Sequence, residues 1–317
     1  MLHQTTIGTD ITEAARFLNA GDVVGIPTET VYGLAGNALN PDAVLRIFTV
    51  KDRPHFDPLI VHTHSVTEIE KYVLDIPDMA RQLMQRFMPG PLTLLLRKKD
   101  IIPDLVTSGL DTVAIRIPNH PLTLELLKQL SFPLAAPSAN PFGYISPTTA
   151  QHVYDQLNGK IPYVLNGGAT HVGVESTIVG FEDGQAIVYR VGGLAVEDIE
   201  SITGTVKYNV NESSNPQVPG MLKSHYAPQK QLIFADEALL PTKQNVAVIA
   251  FDKYISGFDE KQQVLLSPQG DLNEAAKNLF AVMRQLDNSD AVMIFAIRFP
   301  DTGLGRAIND RLKRAGA

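Results

Sequence analysis

Short apolar runs, each ending at a proline, a glycine or a polar residue, alternate with amphipathic stretches along the first two-thirds of this chain. That alternation points to strands and helices mixed in one α/β unit. Asp22–Ile26 reads as a buried strand closed by Pro27. Pro58–His62, Leu92–Arg97, Val113–Ile117, Leu134–Ala136, Tyr163–Leu165, Thr177–Gly180 and Ala186–Arg190 are strand-like too. Asp10 or Thr12 caps a helix through Leu18 that halts at Gly21. Asn40-Pro41 opens another, with proline at its first position, to about Val50. Further helices are predicted near 66–74, 78–88, 120–130 and 147–157. The order is irregular, so a mixed α/β sheet fits better than a strict βαβ winding, and no repeat of fixed period is present.

Asn209–Pro219 is polar and proline-containing, as a linker is. Beyond it, Gln231–Ala235, Asn245–Phe251, Gln263–Leu266 and Ala291–Arg298 read as strands, and Asp271–Leu286 and Gly303–Arg314 as helices. This pattern predicts a small, mostly parallel Rossmann-like domain. It lacks the G-x-G-x-x-G fingerprint, so no dinucleotide site is assigned there. The expected division is 1–206, a linker over 207–230, and 231–317.

At 317 residues and 44% hydrophobic, the chain is large enough for two cores. It has no cysteine, which excludes disulfides, thiolate metal sites and cysteine nucleophiles. No apolar run approaches the roughly 18 residues of a membrane span, and the N-terminus lacks a signal-peptide pattern. A soluble, cytoplasmic protein with no membrane partner is expected. Residues 1–206 carry 14 Lys+Arg against 22 Asp+Glu, a balance of −8, and the remainder 13 against 12, or +1. No global basic face is implied, so any nucleic-acid contact is expected to be weak.

Walker A, H-E-x-x-H and G-x-S-x-G motifs are absent. The chemistry-bearing groups are scattered instead. Pro27-Thr-Glu-Thr-Val-Tyr-Gly33 follows a buried strand directly and offers two hydroxyls and a carboxylate, although such threonines more often cap a helix. Lys51 and Arg53 close a helix, where cations offset its dipole. Pro54 turns the chain extended, so both can also meet a phosphate. His62 ends an apolar strand. Thr112, Ala114 and Arg116 share one face of another, and an arginine there demands an anion, for which a protein carboxylate or a ligand serves equally. Ser138, Asn140, Ser146, Thr148 and Thr149 lie in a Gly/Pro-rich loop opening a helix, and Ser176 and Arg190 flank the next strands. Four cations among many hydroxyls, with few carboxylates, describe a pocket for a polyanion plus a small polar ligand. A nucleoside triphosphate meets that description, and with no evident nucleophile on the protein, the nucleophile belongs to the substrate.

PTETVYGL at 27–34, Lys51-x-Arg53 with Pro58-Leu59, and Ser138-x-Asn140 resemble the YrdC-type threonylcarbamoyl-AMP synthases. Pro219-Gly-Met221, His225-Tyr-Ala-Pro228 and Gly303-Leu-Gly305 with Asp310-Arg311-Leu312 are similar to the long two-domain form, so the resemblance spans essentially the whole chain. It implies an N-terminal YrdC-like twisted mixed sheet with helices and a C-terminal small Rossmann-like α/β domain. It further implies condensation of L-threonine, bicarbonate or CO2, and ATP into threonylcarbamoyl-AMP and pyrophosphate, for N6-threonylcarbamoyladenosine formation in tRNA. By resemblance Lys51 and Arg53 are catalytic and, with Asp57, Thr112, Asn140, Thr148, Arg190 and Tyr226, contact ATP. Thr30, His62, Arg116, Ser138 and Ser176 surround L-threonine. Magnesium is expected on the ATP phosphates with no dedicated protein ligand, and hand-off of the product to a tRNA threonylcarbamoyl-transferase complex is implied. The linker is expected to fold over the nucleotide as a lid. One departure is visible: position 57 is Asp where the family pattern has Asn. The competing reading is an RNA-binding YrdC-like module without adenylation activity; a generic amino-acid-activating enzyme is a third.

Overall fold

The computed structural model of the chain describes residues 4–209, 217–236 and 245–317. Of the linker expected over Asn209–Pro219, residues 210–216 lie outside the described residues. Two sheets are present. The larger takes β1 (Thr6–Gly8), β2 (Val24–Ile26), β3 (Gly33–Asn37), β4 (Ile60–His62), β5 (Leu92–Arg97), β6 (Thr112–Arg116), β7 (Leu134–Ala135), β8 (Tyr163–Leu165), β9 (Thr177–Glu182), β10 (Gln185–Arg190) and β11 (Lys207–Tyr208). The smaller takes β12 (Gln231–Ala235), β13 (Val246–Ala250), β14 (Gln263–Leu265) and β15 (Met293–Ile297). β11 carries the first sheet two residues past the boundary expected at 206.

Helix starts follow their caps. Asp10, rather than Thr12, accepts from the Thr12 and Glu13 amides to open α1 (Ile11–Asn19), and Asn40 opens α2 (Pro41–Lys51) in the same way. α2 ends because Asp52 turns left-handed, with φ +57°, and its amide bonds back to Phe48 and Thr49. That turn leaves Lys51 as the last helical residue and throws Arg53 off the helix axis. The remaining helices of the larger unit are α3 (Val66–Tyr72), α4 (Asp78–Phe87), α5 (Asp104–Thr107), α6 (Pro121–Gln129), α7 (Ala150–Leu157) and α8 (Val196–Thr203).

The larger sheet has the order β1-β8-β2-β3-β7-β4-β6-β5-β9-β10-β11 and mixes parallel with antiparallel neighbours. Parallel pairing of β4 with β6 sets Ile60 beside Ala114 and His62 beside Arg116. Side chains alternate across each strand, so Val61 and Ile115 enter the main core. Ile60 and Ala114 face the other way, into a separate apolar cluster with Ile178, Ile187, Tyr189, Val218 and Met221. His62 and Arg116 therefore emerge on the face that Val218 and Met221 of the linker cover.

The smaller sheet, β12-β15-β13-β14, is wholly parallel, and every residue of β13 is buried, as expected of a strand covered on both faces. Its helices α9 (Leu272–Asp287) and α10 (Gly305–Ala315) pack against the larger unit. One apolar cluster includes Val174 and Leu194 from the first unit, Tyr226 from the linker, and Phe280 and Leu312 from the second. Arg284 of α9 donates to the carbonyls of Ile145 and Ser146, and Tyr144 donates to Asp287 at 2.6 Å. Among the described residues no helix is long and apolar enough to cross a membrane.

α9 passes close against Gly173. Its φ is +81°, and a Cβ there would lie 2.4 Å from Cα of Lys277 in α9. Gly184 has a similar φ of +73° but open space around it. Gly184→Ala is predicted to cost only the roughly 1–2 kcal/mol of a left-handed alanine. Gly173→Ala adds a backbone clash worth about 1–3 kcal/mol more. Urea unfolding of the two variants checks the difference.

Candidate active site

The left-handed turn after α2 sets the first part of the site. Lys51 is 1% exposed, and its Nζ donates to the carbonyls of Ser138 and Asn140, both at 2.5 Å. Arg53 donates Nε to the Asp57 carbonyl at 3.1 Å and Nη2 to the Pro58 carbonyl at 2.9 Å. Its Nη2 also lies 2.9 Å from Oδ2 of Asp57, a charge contact without hydrogen-bond geometry, so neither Asp57 carboxylate oxygen accepts a hydrogen bond. Burial drives the Lys51 amine well below its ordinary range, with Arg53 adding to the effect, and burial also lowers Arg53. Burial raises the Asp57 carboxyl against the pull of Arg53 and Lys51. Asp57 is thus the internal counter-ion of Arg53.

Thr28, Glu29 and Thr30 lead into β3, not into a helix, so their hydroxyls close a turn instead of capping. The Thr28 hydroxyl donates to the Val31 carbonyl at 2.6 Å and accepts from the Thr30 and Val31 amides at 3.2 Å. Glu29 supplies the carboxylate that Arg116 requires: Nη2 of Arg116 pairs with Oε1, and Oε2 accepts the Asn119 amide at 3.0 Å. Arg116 Nη1 donates to Thr30 Oγ1 at 3.1 Å, while its Nε, buried, has no partner. The protein satisfies part of this arginine and leaves one donor spare. His62, 3% exposed, has its imidazole pushed down to about 3, by burial first and the Arg116 charge second.

A chamber lies over this face of the sheet. Thr30, His62, Arg116, Ser138 and Ser176 line it, together with Arg53 and Arg190, and Pro219, Gly220, His225 and Tyr226 of the linker wall it. All five residues expected around L-threonine are therefore brought together, although they come from separate stretches. Arg190 donates Nε and Nη2 to the Ser176 carbonyl and Nη1 to the Pro219 carbonyl at 3.0 Å, tying sheet to linker. Gly220 takes φ +82°, and a Cβ there would meet the Tyr226 hydroxyl at 3.0 Å and the Arg190 side chain at 3.3 Å. Tyr226 itself is left-handed, φ +65°, a conformation held against its usual preference. Burial raises its phenol to about 12, and burial with four nearby cations holds His225 well below the ordinary imidazole range.

Other expected contacts sit apart. Thr112 shares the Arg116 face but starts β6, opposite Arg97. Four strand residues put it about 13 Å from Arg116. It does not line the chamber, because strand direction places only the end of β6 there. Thr148 does not line it either, since its amide and hydroxyl face His152 at the start of α7. Lys51, Asp57 and Asn140 form a buried layer beside the lining, and Asn140 Oδ1 has no partner. Sequence reading noticed the Glu29 carboxylate but gave no role in the site to it or to Glu175. Glu175 accepts from Ser146 at 2.5 Å; burial raises its carboxyl, but Arg311 and Arg190 more than offset this and leave it lowered.

Residues 16–192 match the family described as "Telomere recombination", and residues 194–317 match "Threonylcarbamoyl-AMP synthase, C-terminal domain". The threonylcarbamoyl-AMP synthase of Pyrococcus abyssi is 38% identical, over 95% of this chain and 92% of that protein. That of Bacillus subtilis is also 38% identical, over 98% and 94%. The chain belongs to the threonylcarbamoyl-AMP synthase family. The crystal structure of P. abyssi Sua5 complexed with L-threonine superposes with a TM-score of 0.90 at 36% identity, covering 100% of this chain and 98% of that one. The mixed-sheet unit and the small parallel unit are the two-domain architecture that the resemblance implied.

The His62 shift sets a pH dependence. The unfolded chain protonates this imidazole near its ordinary value of 6.5, the folded one only near 3. Between those values the unfolded state binds more protons, so stability falls as pH drops, by at most about 1.4 kcal/mol per unit from this group. His62→Asn is predicted to flatten the slope of unfolding free energy against pH between 6 and 4, measured by urea titration.

Proposed function

We propose that the chamber condenses L-threonine, bicarbonate or CO2, and ATP into threonylcarbamoyl-AMP and pyrophosphate. The observation that carries the reading is a walled chamber whose lining joins the hydroxyls of Thr30, Ser138 and Ser176 and one partly satisfied arginine, Arg116, to Arg53 and Arg190, with Lys51 buried alongside. The threonine amine adds to CO2, forming an N–C bond and giving up one N–H proton to solvent, and yields an N-carboxylate. A carboxylate oxygen of that species attacks the α-phosphorus of ATP, the bond from that phosphorus to the bridging oxygen breaks, and pyrophosphate leaves with the electron pair. The nucleophile is already anionic, so the protein's task is alignment and charge stabilisation.

On this reading the spare Nε of Arg116 meets the threonine carboxylate, with Thr30, His62, Ser138 and Ser176 around the substrate. His62 is neutral at working pH and so adds no competing cation there. Arg53 exchanges Asp57 for the ATP phosphates, Lys51 and Asn140 shift toward them, and Arg190 and Tyr226 hold the nucleotide. Magnesium arrives with ATP. Residues 1–206 react, 207–230 close over the nucleotide as a lid that excludes water from a hydrolysable product, and 231–317 support them. The product passes, in the cytoplasm, to a transferase acting on tRNA.

Purified protein with ATP and magnesium is predicted to release pyrophosphate only when both L-threonine and bicarbonate are present. Release without bicarbonate means plain amino-acid activation, and no release favours the RNA-binding reading. Lys51→Ala and Arg53→Ala are each expected to lower turnover by about 10²–10³-fold. Serine, lacking a methyl, is expected to be discriminated against by only ~1–3 kcal/mol in kcat/KM, and valine, lacking the hydroxyl, by considerably more.

A further inference from the structure

α10 belongs to the smaller unit, yet its side chains end in the chamber wall. Arg311, fully buried, donates Nε to Glu175 Oε2 at 2.8 Å and Nη2 to the carbonyl of Val191, the residue after Arg190, at 3.0 Å. Its guanidinium lies 5.1 Å from the centre of the Tyr226 ring. One turn on, Arg314 donates to the Leu222 carbonyl at 2.6 Å, and its own carbonyl accepts the His225 amide at 3.1 Å. Asp310 pairs with both arginines, through Oδ2 to Arg311 and Oδ1 to Arg314. One helix of the second unit thus grips the chamber wall at Glu175 and Val191 and the linker at Leu222, His225 and Tyr226. Among the described residues nothing comparable from the smaller unit reaches Thr30, Glu29, His62 and Arg116, which are held by β4, β6 and the turn before β3.

We propose that Arg311 is a positioning residue for the nucleotide end of the chamber, through which the C-terminal domain completes the site. It acts through Glu175 and Tyr226 and leaves recognition of the amino acid alone. The inference rests on the adenylation reading for the identity of what is bound. The guanidinium's planar fork serves a carboxylate, a carbonyl and a ring face together, a combination a single ammonium cannot reproduce.

The test uses the full chain and direct calorimetric titration with Mg-ATP and with L-threonine. Binding is measured apart from turnover, so failure of the proposed reaction and failure of this inference are told apart. Arg311→Met alone strands the Glu175 charge in the interior and is expected to lower the melting temperature. Arg311→Met combined with Glu175→Gln removes the stranded charge and recovers part of it. The double variant is expected to bind Mg-ATP at least tenfold more weakly, to bind L-threonine within twofold of wild type, and to lose Mg-ATP protection of residues 217–230 from proteolysis. Arg311→Lys, which keeps the charge, is the second arm and is expected to fall between. Wild-type affinity for Mg-ATP in the double variant or in Arg311→Lys overturns the proposal, as does an equal loss for both ligands.

Discussion

Lys51, Arg53, Arg116, Arg190 and Arg311 are all buried around one chamber, and Asp57, Glu29 and Glu175 are the carboxylates set against them. An unpaired charge in a protein interior costs several kcal/mol, so the fold must either satisfy each cation or leave it poised for an outside anion. Both solutions appear. Arg190 spends its donors on the Ser176 and Pro219 carbonyls, and Lys51 on two loop carbonyls, whereas Arg116 keeps Nε unspent and Asp57 accepts no hydrogen bond. Much of the surrounding structure exists to hold carbonyls and carboxylates where these cations need them: the left-handed turn at Asp52, the Glu29 turn and the linker across the sheet face.

The surplus of positive charge sits inside a molecule whose first 206 residues are net acidic. A cationic interior behind an acidic exterior favours small anions that can enter the chamber over a long polyanion laid along the surface. This separates a nucleotide site from a nucleic-acid track more sharply than either charge count alone.

Much of the fold was legible because short-range physics decided it. β5, β8 and β12 fall where their apolar runs lie, and α1, α2 and α9 start where Asp10, Asn40 and Asp271 can cap. β3 was not foreseen: Gly33 and Gly36 weaken any strand reading, and the sheet needs them because a Cβ at either would press to 3.2 Å on Ala136 or Ile47. In the site, residue types were readable but partners were not. Arg116 announced its need for an anion, yet Glu29 is 87 positions away, and Arg311 finds Glu175 across 136. Thr112 lies outside the chamber lining for a related reason: the face of a strand follows from alternation, whereas the end that meets the chamber follows from its neighbours' directions.

The wall contributed by the linker also sets a clock. Pro219, Gly220, His225 and Tyr226 close the chamber opposite the sheet, with Ala227 bonded to the Gly143 carbonyl and His225 to the Arg314 carbonyl. On the proposed reaction, a product formed behind that wall would remain until the segment swings away. Its dwell time would then be governed by how often a strained tyrosine backbone and a few carbonyl contacts release, a matter of loop kinetics on the μs–ms scale, more than by how tightly any one side chain grips the contents.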